Sequence, residues 1–190
     1  PGSYPGTCRE LTGRERAERL EAGRRPALRL RTDGHEVVFD DGLHGTVSGF
    51  VDDVVLRRND GVPAYNLAVV VDDAAQGVTE VVRGDDLLAS TPRQIHLQEL
   101  LGFGRPAYLH VPLVVDDDGE RLAKRHGLPL TLSELRTVGI GVGDIVRWIA
   151  RSTGQHSARS LPTLRDLVAG FDADAVPTEP CSLPEFARPR

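Results

Sequence analysis

Helix-type and strand-type patterns alternate between residues 66 and 115, and this alternation limits the chain to few folds. Residues 66–76 carry an apolar stripe with helical spacing, and Gly77 is placed to cap the C-terminal end of that helix. Residues 78–82 form a short apolar run typical of a buried strand, and residues 110–115 form another. Elements in this order predict an α/β fold with a parallel sheet.

The helix between these two strands has clear boundary signals. Thr91 is predicted as the N-cap, Pro92 as the first helical residue and Gln94 as the partner that completes a capping box. Gly102 follows the end of the helical pattern. The sequence therefore predicts a helix from about residue 91 to residue 101.

The first sixty residues contain one helix signal and then strand signals. Thr12 followed by Glu15 is a capping-box pattern, which predicts a helix over the Arg- and Glu-rich residues 13–22. Residues 36–39 and 45–56 predict strands with turn signals between them. The front of the chain is therefore expected to contain loop, helix and strands in that order.

Composition excludes several classes of protein. The formal net charge of -5 argues against nucleic-acid binding by bulk charge, although a local basic face remains possible. No apolar run approaches the roughly 20 residues of a membrane span. The two cysteines, Cys8 and Cys181, are too few for a disulfide framework and fit a reducing compartment, so we expect a cytoplasmic protein.

The chain contains no methionine and begins with Pro1. These first residues do not resemble a translation start. We therefore expect the chain to be a piece of a longer polypeptide, with part of any active site supplied by the preceding segment.

A single lysine, Lys124, occurs among 23 lysine and arginine residues. It follows the turn-type residues 116–119, lies between Arg121 and Arg125, and is followed by Gly127. A lysine is a mobile point charge that reaches a phosphate oxygen, whereas an arginine is a rigid fork. The pattern indicates a phosphate-binding loop, and the alternative is chance survival of one surface lysine.

Several segments together resemble the class I glutamyl-tRNA synthetase family. They are residues 65–73, 77–88, 90–95 and 110–113, followed by residues 121–125. The resemblance implies the second half of a class I synthetase Rossmann-like catalytic domain followed by a small helical domain.

The resemblance also divides the chain into three regions. Residues 1–30 correspond to the end of a zinc-binding insert, and residues 31–127 to the second half of the catalytic fold. Residues 128–190 correspond to a helical junction and a proline-rich tail, which is expected to be extended or frayed. The family's other signature, the HIGH-type motif, is absent from these 190 residues.

The lysine loop resembles the family's KMSKS signature with two departures. Arg121 replaces the first lysine and Ala123 replaces the serine, while the second lysine is retained as Lys124. The resemblance implies that Lys124 is catalytic and binds the phosphates of ATP, with Mg2+, beside Arg121 and Arg125. His110 is implied to lie near the adenine, and the alternative for His110 is a structural histidine.

Two further residues correspond to the family's glutamate-binding pair. Arg83 follows a buried-type strand, where a guanidinium can hold a carboxylate through paired hydrogen bonds, and Tyr65 is its counterpart. The alternatives are a structural salt bridge from Arg83 to Asp85 or Asp86, and packing of Tyr65 in the core.

Tyr4 and Cys8 resemble the second half of the family's zinc site. A thiolate suits zinc and a tyrosine oxygen is an unusual ligand. The family's two other ligands are cysteines that lie upstream, so two ligands alone are not expected to hold the metal, and an ordinary tyrosine and free cysteine remain the alternative. Cys181 is interpreted as an ordinary thiol, and the six histidines show no metal-binding spacing.

Within the family, the chain is most similar to a short paralogue that attaches glutamate to queuosine in the anticodon loop of tRNA(Asp). Residues 128–190 are too few for an additional anticodon-binding domain of roughly 100–150 residues. The predicted partners are therefore glutamate, queuosine-containing tRNA(Asp) and the N-terminal part of the same polypeptide, in a monomer that contacts no membrane. The alternatives are charging of tRNA(Glu) and a catalytically silent RNA-binding fragment. Four arginines are candidates for phosphate contacts, with a solvated face as the alternative: Arg147, Arg151, Arg159 and Arg165.

Overall fold

The computed structural model describes residues 4–116, 118–121, 131–155, 163–182 and 184. The helices are α1 (Gly13–Glu21), α2 (Tyr65–Gln76), α3 (Thr91–Leu101), α4 (Leu132–Thr137), α5 (Val142–Ser152) and α6 (Leu164–Ala169). The strands are β1 (Leu28–Leu30), β2 (His35–Asp41), β3 (Gly45–Val51), β4 (Val54–Arg57), β5 (Glu80–Gly84), β6 (Ala107–Val111), β7 (Val114–Val115) and β8 (Cys181–Ser182). Short 3-10 helices occupy Asp85–Ser90 and Ala173–Ala175.

Contacts divide the chain into two compact units. Unit 1 comprises Pro1–Asp41, Gly45–Val81 and Leu87–Tyr108. Unit 2 comprises Gly42–His44, Val82–Asp86 and Leu109–Arg190. Strands β5 and β6 each begin in unit 1 and end in unit 2, so residues near the ends of both strands belong to unit 2.

The main sheet has four strands in the order β3-β2-β6-β5. β2 pairs antiparallel with β3 from His35↔Val51 to Asp41↔Gly45, and parallel with β6 at Asp41↔Tyr108. The predicted α/β fold is therefore confirmed. β2 and β3 are antiparallel, because a connection as short as residues 42–44 joins antiparallel neighbours, and the sheet is therefore mixed.

The core of unit 1 is built by alternation along β2. Val37 and Phe39 are buried, whereas the residues between them are exposed. Phe39 meets Tyr108 edge to face with the ring centroids 5.9 Å apart. Ile95 of α3 is fully buried in the same cluster. Burying one such apolar side chain is worth about 1.5–3 kcal/mol, so α3 is held mainly by this face.

Two of the predicted helices have the predicted caps. The side chain of Thr12 accepts the N–H of Glu15, and the Glu15 carboxylate accepts the N–H of Thr12, which closes the capping box of α1. α2 ends at Gly77, whose φ of 69° is the left-handed conformation that favours glycine.

The predicted capping box of α3 is wrong, although the helix itself is confirmed. Ser90 is the N-cap and makes no side-chain cap bond. The hydroxyl of Thr91 donates to the carbonyl of Leu87, and Nε2 of Gln94 donates to Oδ1 of Asn66 at 3.1 Å. The preceding 3-10 helix leads directly into α3, so Thr91 lies inside a continuous helical path and is fully buried.

Strand boundaries also differ from the prediction. The strand expected at residues 110–115 is two strands, β6 and β7, with Pro112 in the gap because proline has no N–H to donate to a ladder. The strand expected at 78–82 begins at Glu80 and continues to Gly84. Cys181 and Ser182 are extended, as expected for the tail, and pair parallel with β7.

The helices predicted after residue 131 are present as α4, α5 and α6. Val146 and Ala150 of α5 pack against Leu167 of α6 in a small buried cluster. Among the described residues, no helix combines the length and apolar character needed to span a bilayer.

Candidate functional site

The ends of β5 and β6 bring Arg83 and His110 together within unit 2. Nε of Arg83 donates to Nε2 of His110 at 3.0 Å. An arginine N–H always donates, so Nε2 must carry a lone pair and the imidazole is neutral with its hydrogen on Nδ1. His110 is fully buried, and its carbonyl oxygen lies 3.2 Å from Nε2 of His44. His110 is therefore a positioning residue that fixes the plane of the Arg83 guanidinium.

Asp86 was one of the two candidate salt-bridge partners for Arg83. Its Oδ2 pairs with Nη1 of Arg121, which lies in the same unit. This geometry makes Arg83 a fixed cation at the end of β5.

Gly84 permits close packing directly after Arg83. A Cβ atom there would lie 2.6 Å from Oδ1 of Asp86 and 3.0 Å from Cδ2 of Leu113. Any side chain at this position would displace the Asp86 carboxylate. The glycine therefore sets the path of the chain between Arg83 and the 3-10 helix.

The predicted turn at residues 116–119 is confirmed for its described residues. Oδ1 of Asp116 accepts the N–H groups of Asp118 and Glu120 at 3.0 and 2.8 Å. The turn folds the chain back so that Arg121 forms a bridge with Val115. Arg121 thus stands on the outgoing arm of a hairpin.

Four residues of the predicted phosphate loop lie outside the described residues. They are Leu122, Ala123, Lys124 and Arg125. Arg121 is the member of the predicted loop whose contacts the structure gives, and its guanidinium is held by Asp86.

Tyr65 is the first residue of α2 and belongs to unit 1. It is 60% exposed. Packing in the core, the alternative for this tyrosine, is therefore wrong. Tyr65 therefore lies largely on the surface, at the N-terminal end of α2.

Tyr4 and Cys8 belong to one turn in unit 1. The hydroxyl of Tyr4 accepts the N–H of Cys8 at 2.7 Å, and Nη1 of Arg19 lies 3.5 Å from Sγ of Cys8. The guanidinium of Arg29 lies 3.9 Å above the Tyr4 ring. One phenol and one thiol supply two donors of the four that a structural zinc site uses, so the described residues fit half of such a site.

Asp52 holds the backbone beside Tyr4. Burial raises the pKa of the Asp52 carboxyl, but hydrogen bonds from Nε of Arg93 at 2.6 Å and from the N–H of Tyr4 at 2.9 Å outweigh it. The pKa of Asp52 therefore lies below its ordinary value. This carboxylate ties the Tyr4 turn to α3 through Arg93.

Sequence reasoning missed an arginine-lined groove in unit 1. The groove also contains Tyr4 and Cys8, and Asp53 is the acidic residue in its lining. Its members are spread over some fifty positions, so no local charge run reveals them. Alternation along β1 and helical spacing in α1 are the signals that point to a shared face. The arginines of the groove are Arg9, Arg16, Arg19, Arg24, Arg25, Arg29, Arg31 and Arg57.

The arginines predicted for phosphate contact in unit 2 have a different environment. Nη1 of Arg147 pairs with Oδ1 of Asp144, three residues earlier on α5, at 3.0 Å. Arg159 lies outside the described residues. In the groove of unit 1, Arg9 and Arg31 both form ion pairs with Asp33.

Comparison with known proteins agrees with this fold. A family model described as tRNA synthetases class I (E and Q), catalytic domain, matches residues 2–178. The chain is 54% identical over 181 residues to "Glutamyl-Q tRNA(Asp) synthetase" of Nocardia farcinica, covering 94% of this chain and 56% of that protein. It is 48% identical over 185 residues to the protein of the same name from Nitratidesulfovibrio vulgaris, covering 95% and 57%.

A more distant relative carries another name. "Glutamate--tRNA ligase 2" of Halorhodospira halophila is 40% identical over 178 residues, covering 91% of this chain and 37% of that protein. The chain thus spans about half the length of the two more similar relatives, and less of this one.

A solved structure shows the same fold. It is a glutamate tRNA ligase from Elizabethkingia meningosepticum in complex with its amino acid, with a TM-score of 0.75 at 22% identity. The match covers 97% of this chain and 42% of that one. The family model and the shared fold confirm the resemblance drawn from the sequence: this chain belongs to the class I tRNA synthetases (E and Q), catalytic-domain family.

Proposed function

We propose that the polypeptide containing this chain activates glutamate with ATP and transfers it to queuosine in the anticodon loop of tRNA(Asp). The choice of RNA acceptor is supported by sequence identities of 54% and 48% to proteins named for that reaction. The identity to a protein named glutamate--tRNA ligase is lower, at 40%. The observation that supports the amino acid is the cation of Arg83, fixed by His110 at the end of β5.

Arg83 is the proposed ligand for a carboxylate of glutamate. A guanidinium held through Nε presents its outer N–H groups in a fixed direction, which suits a planar carboxylate. Tyr65 is the proposed second glutamate-binding residue, because of the family resemblance and the exposure of this residue. His110 is proposed to orient Arg83 through their hydrogen bond. The family resemblance also implies that His110 lies near the adenine of ATP.

The first proposed step forms a mixed anhydride. A carboxylate oxygen of glutamate attacks the α-phosphorus of ATP, and the bond to the β,γ-pyrophosphate breaks, so pyrophosphate leaves with that electron pair. Charge develops on phosphate oxygens, which a cation placed in advance stabilises. Lys124 is proposed for this role, with Arg121 and Arg125 beside it, and Mg2+ bound with ATP would neutralise further phosphate charge.

The second proposed step transfers the glutamyl group. A hydroxyl of queuosine attacks the acyl carbon, loses its proton, and AMP leaves. The RNA must be held while this occurs, and phosphate contacts from arginine provide such positioning without reading sequence. The arginine-lined groove of unit 1 supports this role, because eight of the residues that line it are arginines.

The organisation of the polypeptide follows from the same proposal. Residues 31–127 are proposed as the second half of the catalytic fold and residues 128–190 as its helical junction and tail. The N-terminal part of the polypeptide is proposed to supply the HIGH-type motif and two cysteine ligands that, with Tyr4 and Cys8, complete a zinc site. Metal analysis of the complete polypeptide is expected to find one equivalent of zinc fewer when Cys8→Ser is introduced, because one of the four ligands of this site is removed.

The activation step is tested by glutamate-dependent exchange between ATP and pyrophosphate in the complete polypeptide. Lys124→Ala is expected to raise the activation barrier by about 2.7–4 kcal/mol, because a cation placed beside the developing phosphate charge is lost. Exchange should then be roughly 100- to 1,000-fold slower. Lys124→Arg is also expected to be poor, because the fork geometry differs from a point charge. Near wild-type exchange by Lys124→Ala would remove the lysine from the mechanism.

Charging of tRNA(Glu) is the second candidate function. The observation that favours it is the 40% identity to a glutamate--tRNA ligase over 91% of this chain. Both candidate functions share the activation step and differ only in the RNA that accepts the glutamyl group.

A further inference from the structure

Two histidines far apart in sequence meet in unit 1. His35 begins β2 and His96 lies on α3, and their ring centroids are 4.6 Å apart with an angle of 36° between the planes. Glu99 follows His96 by three residues, which places both side chains on one face of α3. The histidines show no metal-binding spacing along the chain, and such spacing cannot reveal a pair that joins a strand to a helix.

The three side chains present ligand atoms to one another. One ligand atom from each of His35, His96 and Glu99 can be chosen so that all lie within 4.8 Å of one another. Ligand atoms around a tetrahedral zinc ion are about 3.3 Å apart, since Zn–N and Zn–O bonds are about 2.0–2.2 Å. His35 and Glu99 are exposed, so rotations of these side chains close the remaining gap without moving the core.

One nitrogen in this cluster lacks a partner. Nδ1 of His96 is buried and makes no hydrogen bond within the described part of the chain. A buried polar atom without a partner costs free energy, and a metal ion or the water bound to it is a partner that would remove this cost. Burial and the neighbouring His35 also lower the pKa of His96, which favours the neutral ring that a metal requires.

Glu99 already carries a second contact. Nη2 of Arg105 lies 2.6 Å from Oε1 of Glu99. A carboxylate has about four lone-pair sites on two oxygens, so this ion pair leaves acceptor capacity for a ligand. An arginine in this place would orient the carboxylate in the way that partners behind metal ligands commonly do.

We propose that His35, His96 and Glu99 form a binding site for a divalent transition-metal ion, with zinc as the preferred ion. Two imidazoles and one carboxylate are the protein ligands of known three-ligand zinc sites, in which water completes the coordination. Imidazole selects zinc, copper or nickel over magnesium and calcium, which prefer oxygen. The bound ion would link the first residue of β2 to α3. This site shares no residue with the Tyr4 and Cys8 pair.

The test measures zinc binding to the 190-residue chain carrying Cys8→Ser, which removes the thiol of the other proposed site. Isothermal titration calorimetry with ZnCl2 in metal-free buffer is expected to show one saturable site. His35→Asn and His96→Asn should each weaken binding at least about tenfold, and Glu99→Gln less, because loss of one ligand of three is a large part of the affinity. The matched control is His44→Asn, which removes an imidazole of unit 2 and should change binding less than about twofold.

A second measurement protects the test against variants that fail to fold. Co2+ added to the Cys8→Ser chain should give visible absorption bands that are lost in His35→Asn while circular dichroism is unchanged. His35 is exposed, so this variant should keep the core. Absence of saturable zinc binding below about 100 μM in the Cys8→Ser chain, or equal weakening by His44→Asn, would overturn the proposal.

Discussion

At the residue scale, the proposed chemistry depends on how two arginines are held. Arg83 is fixed through Nε by a buried neutral imidazole, and Arg121 is held by Asp86. A guanidinium with a fixed plane presents its outer donors in one direction, which is a requirement for recognising a carboxylate.

Replacement of Arg83 tests its proposed role. Arg83→Ala is expected to raise the KM for glutamate roughly 10- to 100-fold, because hydrogen bonds to charged groups are worth about 1.5–3 kcal/mol. The KM for ATP should remain nearly unchanged. Both values are measured by ATP–pyrophosphate exchange in the complete polypeptide, with Arg58→Ala as a control because Arg58 forms an exposed pair with Asp60. Equal loss of both affinities would make Arg83 a folding residue.

Ionisation of Asp52 is expected to make the free energy of unfolding depend on pH in the acid range. Its pKa is lowered in the folded state, so its stabilisation is present above the ordinary aspartate pKa of about 4 and is lost as pH falls through the lower folded value. We expect Asp52→Asn to reduce the free energy of unfolding at pH 7 and to have a smaller effect near pH 3. Urea unfolding of both proteins at each pH measures the difference, and a penalty that does not shrink with falling pH would contradict the assignment.

At the element scale, helices with local signals were predictable and the pairings between elements were not. The caps at Thr12 and Gly77 are decided by residues within one turn, and both were read from sequence. The role of Gln94 was not, because its partner Asn66 lies on another helix. The mixed sheet likewise depends on which strands pair, which local patterns do not contain.

The same limit applied to the candidate site. Arg83 and Tyr65 were identified by family resemblance, whereas the bond from Arg83 to His110 joins neighbouring strands and required the structure. The arginine-lined groove was missed because the net charge of -5 conceals a local cluster.

The turn after α5 contains a position that only glycine fits. Gly154 has a φ of 71°, and a Cβ atom there would fall on the carbonyl oxygen of Ala175. Beside it, the side chain of Gln155 bonds the backbone of Asp172 through both its amide nitrogen and its oxygen, at 2.8 and 2.9 Å. These two hydrogen bonds hold the backbone of the turn in place, so it cannot shift to relieve a clash with an added Cβ atom.

Gly154→Ala is expected to destabilise unit 2 by at least about 2 kcal/mol, because left-handed strain and a backbone clash add. Gly143→Ala is the matched control: Gly143 lies in α5 with open space at its Cβ position, so alanine should be neutral or stabilising. Thermal unfolding followed by circular dichroism compares the two, and equal midpoints would contradict the packing described for Gly154.

At the scale of the whole molecule, an acidic chain is proposed to bind an acidic polymer. The arginine-lined groove accounts for this, because phosphate contacts depend on local cations rather than on net charge. Arg24→Glu combined with Arg25→Glu should weaken tRNA binding and reduce its salt dependence, since fewer counterions are released. Filter binding of the complete polypeptide at several salt concentrations measures this, with Arg58→Glu as the control, and an unchanged salt slope would exclude the groove.

The central claim is the acceptor, and one measurement addresses it directly. The complete polypeptide is incubated with ATP and labelled glutamate, together with queuosine-containing tRNA(Asp), tRNA(Asp) lacking queuosine, or tRNA(Glu). The account predicts that label is transferred to the queuosine-containing RNA and to neither of the others. Efficient charging of tRNA(Glu), or transfer to tRNA(Asp) without queuosine, would contradict it.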